Sequence, residues 1–202
     1  MSEPAAVATL VTARLELRPV TAADAPACQR HFADYEVIRH LSARVPWPYP
    51  EDGARTYIRD VVLPAQGRDH WVWGLHRRDG GDGGLVGIID LWRKQDRPTN
   101  RGFWLGRAFW GRGYMTEAVV RVTDHAFDDL GFDVLVFGNA EGNDRSHAIK
   151  RKTGARLVAV VPATFVDPAY ARMELWRLTR TDWERWRRAN TAAAASPGRL
   201  DD

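Results

Sequence analysis

The sequence predicts one α/β domain, a sheet covered by helices, and three observations carry that expectation. Strand-like alternation and helix-like periodicity follow one another along the chain. A length of 202 residues suits one domain with a full core, since domains of roughly 100–200 residues bury most of their apolar surface. No internal repeat divides the chain. The folded unit is expected over residues 10–190. Residues 1–9 and 191–202, which are small and polar, read as disordered ends.

The elements follow in order. Arg14-Leu15-Glu16-Leu17-Arg18 alternates polar and apolar residues and stops at Pro19, as a half-buried strand does. Thr21 with Asp24 resembles a capping arrangement opening a helix to about Phe32. The three prolines of Val45-Pro46-Trp47-Pro48-Tyr49-Pro50 hold an extended segment, and a helix from about Glu51 to Val62 follows. His70 to His76 and Leu85 to Trp92 read as a hairpin. The Gly-rich run between them joins strand to strand and offers no helix N-terminus, so a turn is favoured over a phosphate loop. A strand at about Arg101 to Gly106 leads through Trp110-Gly111-Arg112-Gly113 into an amphipathic helix, Tyr114 to Leu130. Another strand is expected at Val134 to Phe137.

Composition sets limits. The chain is 45% apolar and 27% charged, with no apolar run of the length a bilayer span needs and no basic-then-apolar start of a secretory signal. Cys28 is the one cysteine, so no intramolecular disulfide forms and a cytoplasmic setting is expected. The net charge of +3 comes with a single dense basic cluster, Trp183-Glu184-Arg185-Trp186-Arg187-Arg188. Phosphate-backbone binding needs a concentrated basic stripe, so a solvated helix face is favoured over nucleic acid. The six histidines and Cys28 show no metal-ligand spacing, and no metal is expected.

The strand, glycine turn and helix around residue 111 is the most informative segment. Glycines let a backbone approach a ligand closely, and free N–H groups at a helix start attract anions. Taken alone, two glycines one residue apart fit a plain tight turn better. No Gly-Lys-Ser/Thr follows, which excludes a Walker loop, and the preceding hairpin argues against a dinucleotide fold. The longer context, Gly102-Phe103-Trp104-Leu105-Gly106 and then Phe109-Trp110-Gly111-Arg112-Gly113-Tyr114-Met115-Thr116-Glu117-Ala118, resembles the acetyl-CoA motif of the GNAT superfamily of N-acetyltransferases. The opening Thr12 to Pro19 and the Pro-rich segment are similar to the RimJ/RimL-like branch, which acetylates N-termini of ribosomal proteins. The resemblance runs from about Thr12 to Arg177. It implies a central mixed, mostly antiparallel sheet of about seven strands with helices on both faces.

It also implies a site. The superfamily pattern Arg/Gln-x-x-Gly-x-Gly/Ala falls on Trp110, Gly113 and Met115, so the first and third positions depart from it. At the third, the longer Met side chain must point away from the diphosphate. The resemblance implies that amides from Gly111 through Arg112, Gly113, Tyr114 and Met115 to Thr116 hold the CoA diphosphate. Trp110 then packs beside them, and Leu105 hydrogen-bonds the pantetheine. Asn143, Ser146, Ile149, Lys152 and Gly154 match a second family segment, Asn-x-x-Ser-x-x-hydrophobic-x-x-Lys-x-Gly-Phe. Read alone, that segment is a helix with Asn143 as N-cap and Gly154 as stop. The resemblance adds a pantetheine contact for Asn143 and places Ser146 near the departing thiolate.

Acyl transfer to an amine needs a neutral nitrogen and a donor for the developing oxyanion. Near pH 7.4 an α-amine is roughly a quarter to a third neutral and a lysine only about a thousandth, so an N-terminal acceptor demands less of a base. Asp90, at the end of an apolar run, and Glu141, beyond the Val134 strand, are both candidate bases. Asp90 could instead end a strand in a turn, and Glu141 could lie on a solvated loop. Glu117 fits helix-dipole charge better than catalysis. Among nine tryptophans, Trp71, Trp73, Trp92 and Trp104 read as core, while Trp47 among its prolines could line an acceptor groove. The leading expectation is acetyl transfer from acetyl-CoA to a primary amine, a protein N-terminus favoured over a small amine. A non-catalytic acyl-CoA-binding module is the alternative. Monomer and homodimer are both open.

Overall fold

A computed structural model describes residues 6–80, 84–93 and 98–195. The elements are β1 (Leu10–Val11), β2 (Leu15–Pro19), α1 (Ala25–Phe32), α2 (Tyr35–Ile38) and α3 (Gly53–Tyr57). A wider helical turn, Ile58–Val62, connects α3 to α4 (Leu63–Ala65). Then come β3 (His70–Arg77), β4 (Leu85–Trp92), β5 (Arg101–Leu105), α5 (Tyr114–Asp128), β6 (Val134–Ala140), α6 (Asp144–Lys152), β7 (Arg156–Pro162), β8 (Arg172–Thr179) and α7 (Arg180–Ala195).

The strands form one sheet in the order β1-β2-β3-β4-β5-β6-β8-β7, antiparallel throughout except for β5 and β6. Among the described residues eight strands stand where about seven are expected; β1 has only two residues. Helices cover both faces, and alternation along the strands separates two cores. On one face Leu17, Trp73, Ile89 and Leu91 meet Ala118, Val122 and Ala126 of α5 and Trp183 of α7. On the other, Val72, Leu85 and Ile88 meet Ala27 and Cys28 of α1 and Ala54 and Ile58 of the α3 region.

Several local expectations shift. The helix after Thr21 starts as a 3-10 turn, Ala22–Asp24, because the Thr21–Asp24 capping box closes on it. β6 runs three residues past Phe137, since β8 pairs with it over its whole length. Helix α7 reaches Ala195, past the expected boundary at 190: alanine is the best helix former and propagates a helix already anchored by packing. At the other end Val7 packs against the core and Ala8 O accepts from the buried Trp73 Nε1 at 2.8 Å, so order begins before residue 10. The expectations for residues 1–5 and 196–202, and for residues 81–83 of the Gly-rich turn, lie outside the described residues.

The basic cluster on α7 is not simply a solvated face. Trp183 is buried, Trp186 stacks on it at 4.4 Å, Arg187 bonds Asp128 of α5 at 2.6 Å and Arg185 lies 3.3 Å from Asp182. Trp104 differs from the other core tryptophans. It is only partly buried and rests edge-on against Phe32.

Candidate active site

The β5–β6 pair holds together at one register position, Arg101 opposite Phe137. Asn100 braces that end, its side chain bonding Val136 N and Val134 O. Beyond it the strands share no ladder, and a cavity of about 430 Å³ opens there. Its walls come from Gly102 to Leu105 of β5, the start of α5, Phe137 to Asn139 of β6, and α6. The loop end of α2, with His40, closes it.

At one mouth the glycine turn enters α5. Gly111 and Gly113 have φ of +74° and +80°, the left-handed region that L side chains rarely adopt. Gly113 is the N-cap, without a side-chain cap bond. Helix geometry therefore leaves the N–H groups of Tyr114, Met115 and Thr116 without intrahelical partners. A Cβ on Gly111 would meet nothing within 4 Å, so the turn presents open space and converging donors. These features fit a diphosphate, which helix N-termini attract through amides and dipole together.

The side chains agree with that use. Met115 is buried in the core, so its departure from the motif leaves the amides clear. Trp110 donates from Nε1 to Leu105 O at 2.7 Å and carries the Arg145 guanidinium 4.1 Å above its ring. A cation from α6 thus stands beside the turn even though position 110 holds none. Tyr114 is buried beneath Arg14. Arg112 is exposed; its carbonyl accepts from Arg14 Nη1 at 2.9 Å. Glu117 is structural: its carboxylate accepts from Thr12 Oγ1 at 2.5 Å, Arg14 N at 2.8 Å and Arg14 Nε at 2.7 Å.

Across the cleft, Asn143 caps α6 by accepting from Ser146 N at 3.3 Å, and both residues line the cavity. Ser146 Oγ accepts from Lys150 Nζ at 2.6 Å, one helical turn on. Lys150 is 1% exposed. Burial, with Arg101 nearby, holds its pKa well below the ordinary lysine value.

Leu105, Trp110, Gly111, Gly113, Tyr114, Met115, Thr116, Asn143 and Ser146 therefore share one cavity lining, while Asp90, Arg112, Glu141 and Trp47 do not belong to it. Asp90 bonds His70 Nε2 at 2.9 Å and stands directly behind Gly102, where a Cβ would lie 2.7 Å from its Oδ1. Glu141 is largely exposed, 3.5 Å from Arg172 Nε. Trp47 is exposed and packs on Tyr35 of α2 at 5.2 Å between ring centroids. Sequence reasoning missed His40, Arg101 and Lys150. The pKa of His40 is held below the usual imidazole value by burial and by Arg39 and Arg145. No local pattern marks these three; only the helical phase of Lys150, four residues after Ser146, was a usable signal.

The acetyltransferase (GNAT) domain family matches residues 14–156. A Bacillus subtilis protein named "Putative ribosomal N-acetyltransferase YdaF" is 31% identical over 106 residues, 51% of this chain and 58% of its own length; the chain thus matches little more than half of that relative. The structure of Mycobacterium smegmatis RimJ in complex with CoA-disulfide superposes with a TM-score of 0.70 at 21% identity, covering 87% of this chain and 89% of that one. RimL, a ribosomal L7/L12 alpha-N-protein acetyltransferase solved with coenzyme A, gives 0.69 at 16% identity over 84% and 96%. Divergence at that level leaves the fold as what is shared. With the family's domain spanning most of the chain and the splayed sheet beside a glycine-led helix, this protein belongs to the GNAT acetyltransferase family.

Proposed function

We propose that the protein transfers an acetyl group from acetyl-CoA to a primary amine, with a protein or peptide α-amine as the favoured acceptor. The observation that carries this reading is the pair of left-handed glycines opening the α5 amides onto the cavity that also holds Ser146. Acetyl-CoA supplies an activated acyl thioester. Gly111 to Thr116 hold its diphosphate with Arg145 alongside, and Leu105 and Asn143 contact the pantetheine.

The chain's own residues handle protons and position. Ser146 offers its hydroxyl hydrogen to the departing sulfur, and Lys150, donating to the same oxygen, holds that hydroxyl in position. His40, kept neutral and lining the cavity, takes the proton the amine sheds. Asp90, behind Gly102, is the better placed of the two carboxylates for a supporting role, and Trp47, packed on Tyr35 of α2, flanks the acceptor's approach. An α-amine suits this set, because a weakly basic His suffices for a nitrogen already partly neutral. RimL and YdaF carry names of ribosomal acetyltransferases, which supports a ribosomal-protein N-terminus in the cytoplasm as the acceptor.

Two measurements test the proposal. Acetyl-CoA at 100 times its Kd should stabilise the fold by about 2.7 kcal/mol, a rise of roughly 5–11 °C in Tm for a chain of this size. Release of free thiol should follow when peptides with free N-termini are added. No thermal shift at millimolar acetyl-CoA refutes the cofactor reading. A shift without thiol release on any amine of the panel makes the chain a binding module.

A further inference from the structure

Arg101 opens β5 at the floor of the cleft. It is 4% exposed, and none of its three guanidinium nitrogens has a hydrogen-bond partner among the described residues. Its Cζ lies 3.6 Å above the Phe137 ring. Lys150 approaches from α6, and the two cations share the Phe103 ring, at 5.9 Å and 5.7 Å from its centroid. The carboxylate that acts on Lys150 is Glu174, whose Oε2 already accepts from Asn139 Nδ2 at 2.9 Å and Trp176 Nε1 at 3.0 Å. Ring contacts compensate only a fraction of the hydration a buried guanidinium gives up. The floor of the cavity thus carries guanidinium donors without partners among the described residues, and Glu174, the carboxylate that acts on Lys150, is already engaged by Asn139 and Trp176.

The position says which part of a ligand reaches it. Arg101, Phe103 and Leu105 alternate on one face of β5, and Leu105 adjoins the glycine turn. The cation lies four residues along the strand from there, roughly 13 Å at about 3.3 Å per residue. A thioester whose diphosphate sits on the turn therefore brings its acyl end, not its nucleotide, to Arg101.

We propose that the cleft accepts, besides acetyl, CoA thioesters whose acyl group ends in a carboxylate, the succinyl class, with Arg101 and Lys150 forming the carboxylate's subsite. This rests on the cofactor reading above. The transfer balances as for acetyl: the amine nitrogen bonds the carbonyl carbon, and the carbon–sulfur bond breaks with its electron pair on sulfur. One proton leaves nitrogen and one reaches sulfur. The products are an amide and free CoA, and the distal carboxylate passes through unchanged. An anion between Arg101 and Lys150 also favours the protonated form of Lys150, so both then donate charge-assisted bonds.

Calorimetry without any amine isolates the acyl end from an acidic acceptor. CoA, butyryl-CoA and succinyl-CoA are titrated in turn, the last two differing mainly by a carboxylate in place of a methyl. The expected result is succinyl-CoA binding at least about tenfold tighter than butyryl-CoA, with the ratio falling to about one in Arg101→Met and to an intermediate value in Lys150→Met. Ligand-free Arg101→Met should melt no lower than wild type, because it removes an uncompensated buried charge; a large fall in Tm would make Arg101 a structural residue and overturn the proposal. Butyryl-CoA binding as tightly as succinyl-CoA to wild type overturns it without any variant. If CoA itself does not bind, the cofactor reading falls and this inference with it; if CoA binds without the succinyl preference, this inference alone falls.

Discussion

Replacing Gly113 by alanine isolates the geometry on which the proposed diphosphate site depends. At φ of +80° a Cβ crowds its own backbone, a cost of about 1–2 kcal/mol. Its nearest neighbour would be Arg14 Nη2 at 3.3 Å, the far end of a long side chain that can yield by a few tenths of an ångström. The contact therefore adds little, and the strain alone predicts a fall in Tm of roughly 2–8 °C for a chain of this size. Relief of that strain turns the peptide planes on either side of Gly113, and the α5 amides no longer converge. Losing one charge-assisted hydrogen bond to a phosphate, worth about 1.5–3 kcal/mol, weakens acetyl-CoA binding by roughly tenfold to 150-fold. The assay is a thermal scan with calorimetry on folded protein, with Gly111→Ala beside it as a variant carrying backbone strain but no neighbour within 4 Å. A folded Gly113→Ala protein with wild-type affinity would place the diphosphate elsewhere.

Ser146→Ala should keep acetyl-CoA affinity nearly unchanged and lower turnover by roughly tenfold to a few hundredfold; it also strands Lys150 Nζ, with a stability loss of about 1–3 kcal/mol. Asn143→Ala should instead weaken binding and cost about 1 kcal/mol of stability through the lost cap, so steady-state kinetics with calorimetry separates the two, and unchanged turnover in Ser146→Ala would reduce that serine to a helix start. Burial raises the Glu117 pKa, but bonds from Thr12 and Arg14 outweigh it and leave the carboxyl below its usual 4.5. Its stabilisation is then full above about pH 4.5 and fades as pH falls through the lower folded value; the Tm gap between wild type and Glu117→Ala should be flat at neutral pH and shrink in acid, and a gap that widens in acid contradicts the assignment. Cys28 is buried, and burial followed by Asp24 pushes its thiol pKa up to about 12. At pH 8 only about one thiol in ten thousand is ionised, so an aromatic disulfide reagent should titrate no thiol in the native protein and one in guanidinium.

What the sequence determined by itself was local in origin. The strand Leu85–Trp92 matches residue for residue, and the glycine turn into α5 and the Asn143 cap stand where their residue types require. Periodicity, left-handed glycines and short capping side chains act within one or two turns of chain. The tertiary structure decided what depends on distant partners. Lys150, Arg151 and Lys152 are adjacent basic residues, yet packing of α6 over the cleft buries Lys150 and leaves the other two exposed. Arg101 looked like an ordinary strand start until the single-pair junction with Phe137 enclosed it. His40 came to line the cavity while Trp47, seven residues later, stayed outside on Tyr35. Where β5 and β6 part, the sheet's hydrogen bonding stops for lack of a partner. That gap is set by how eight strands and two helix layers close around one another, which no stretch of neighbouring residues encodes.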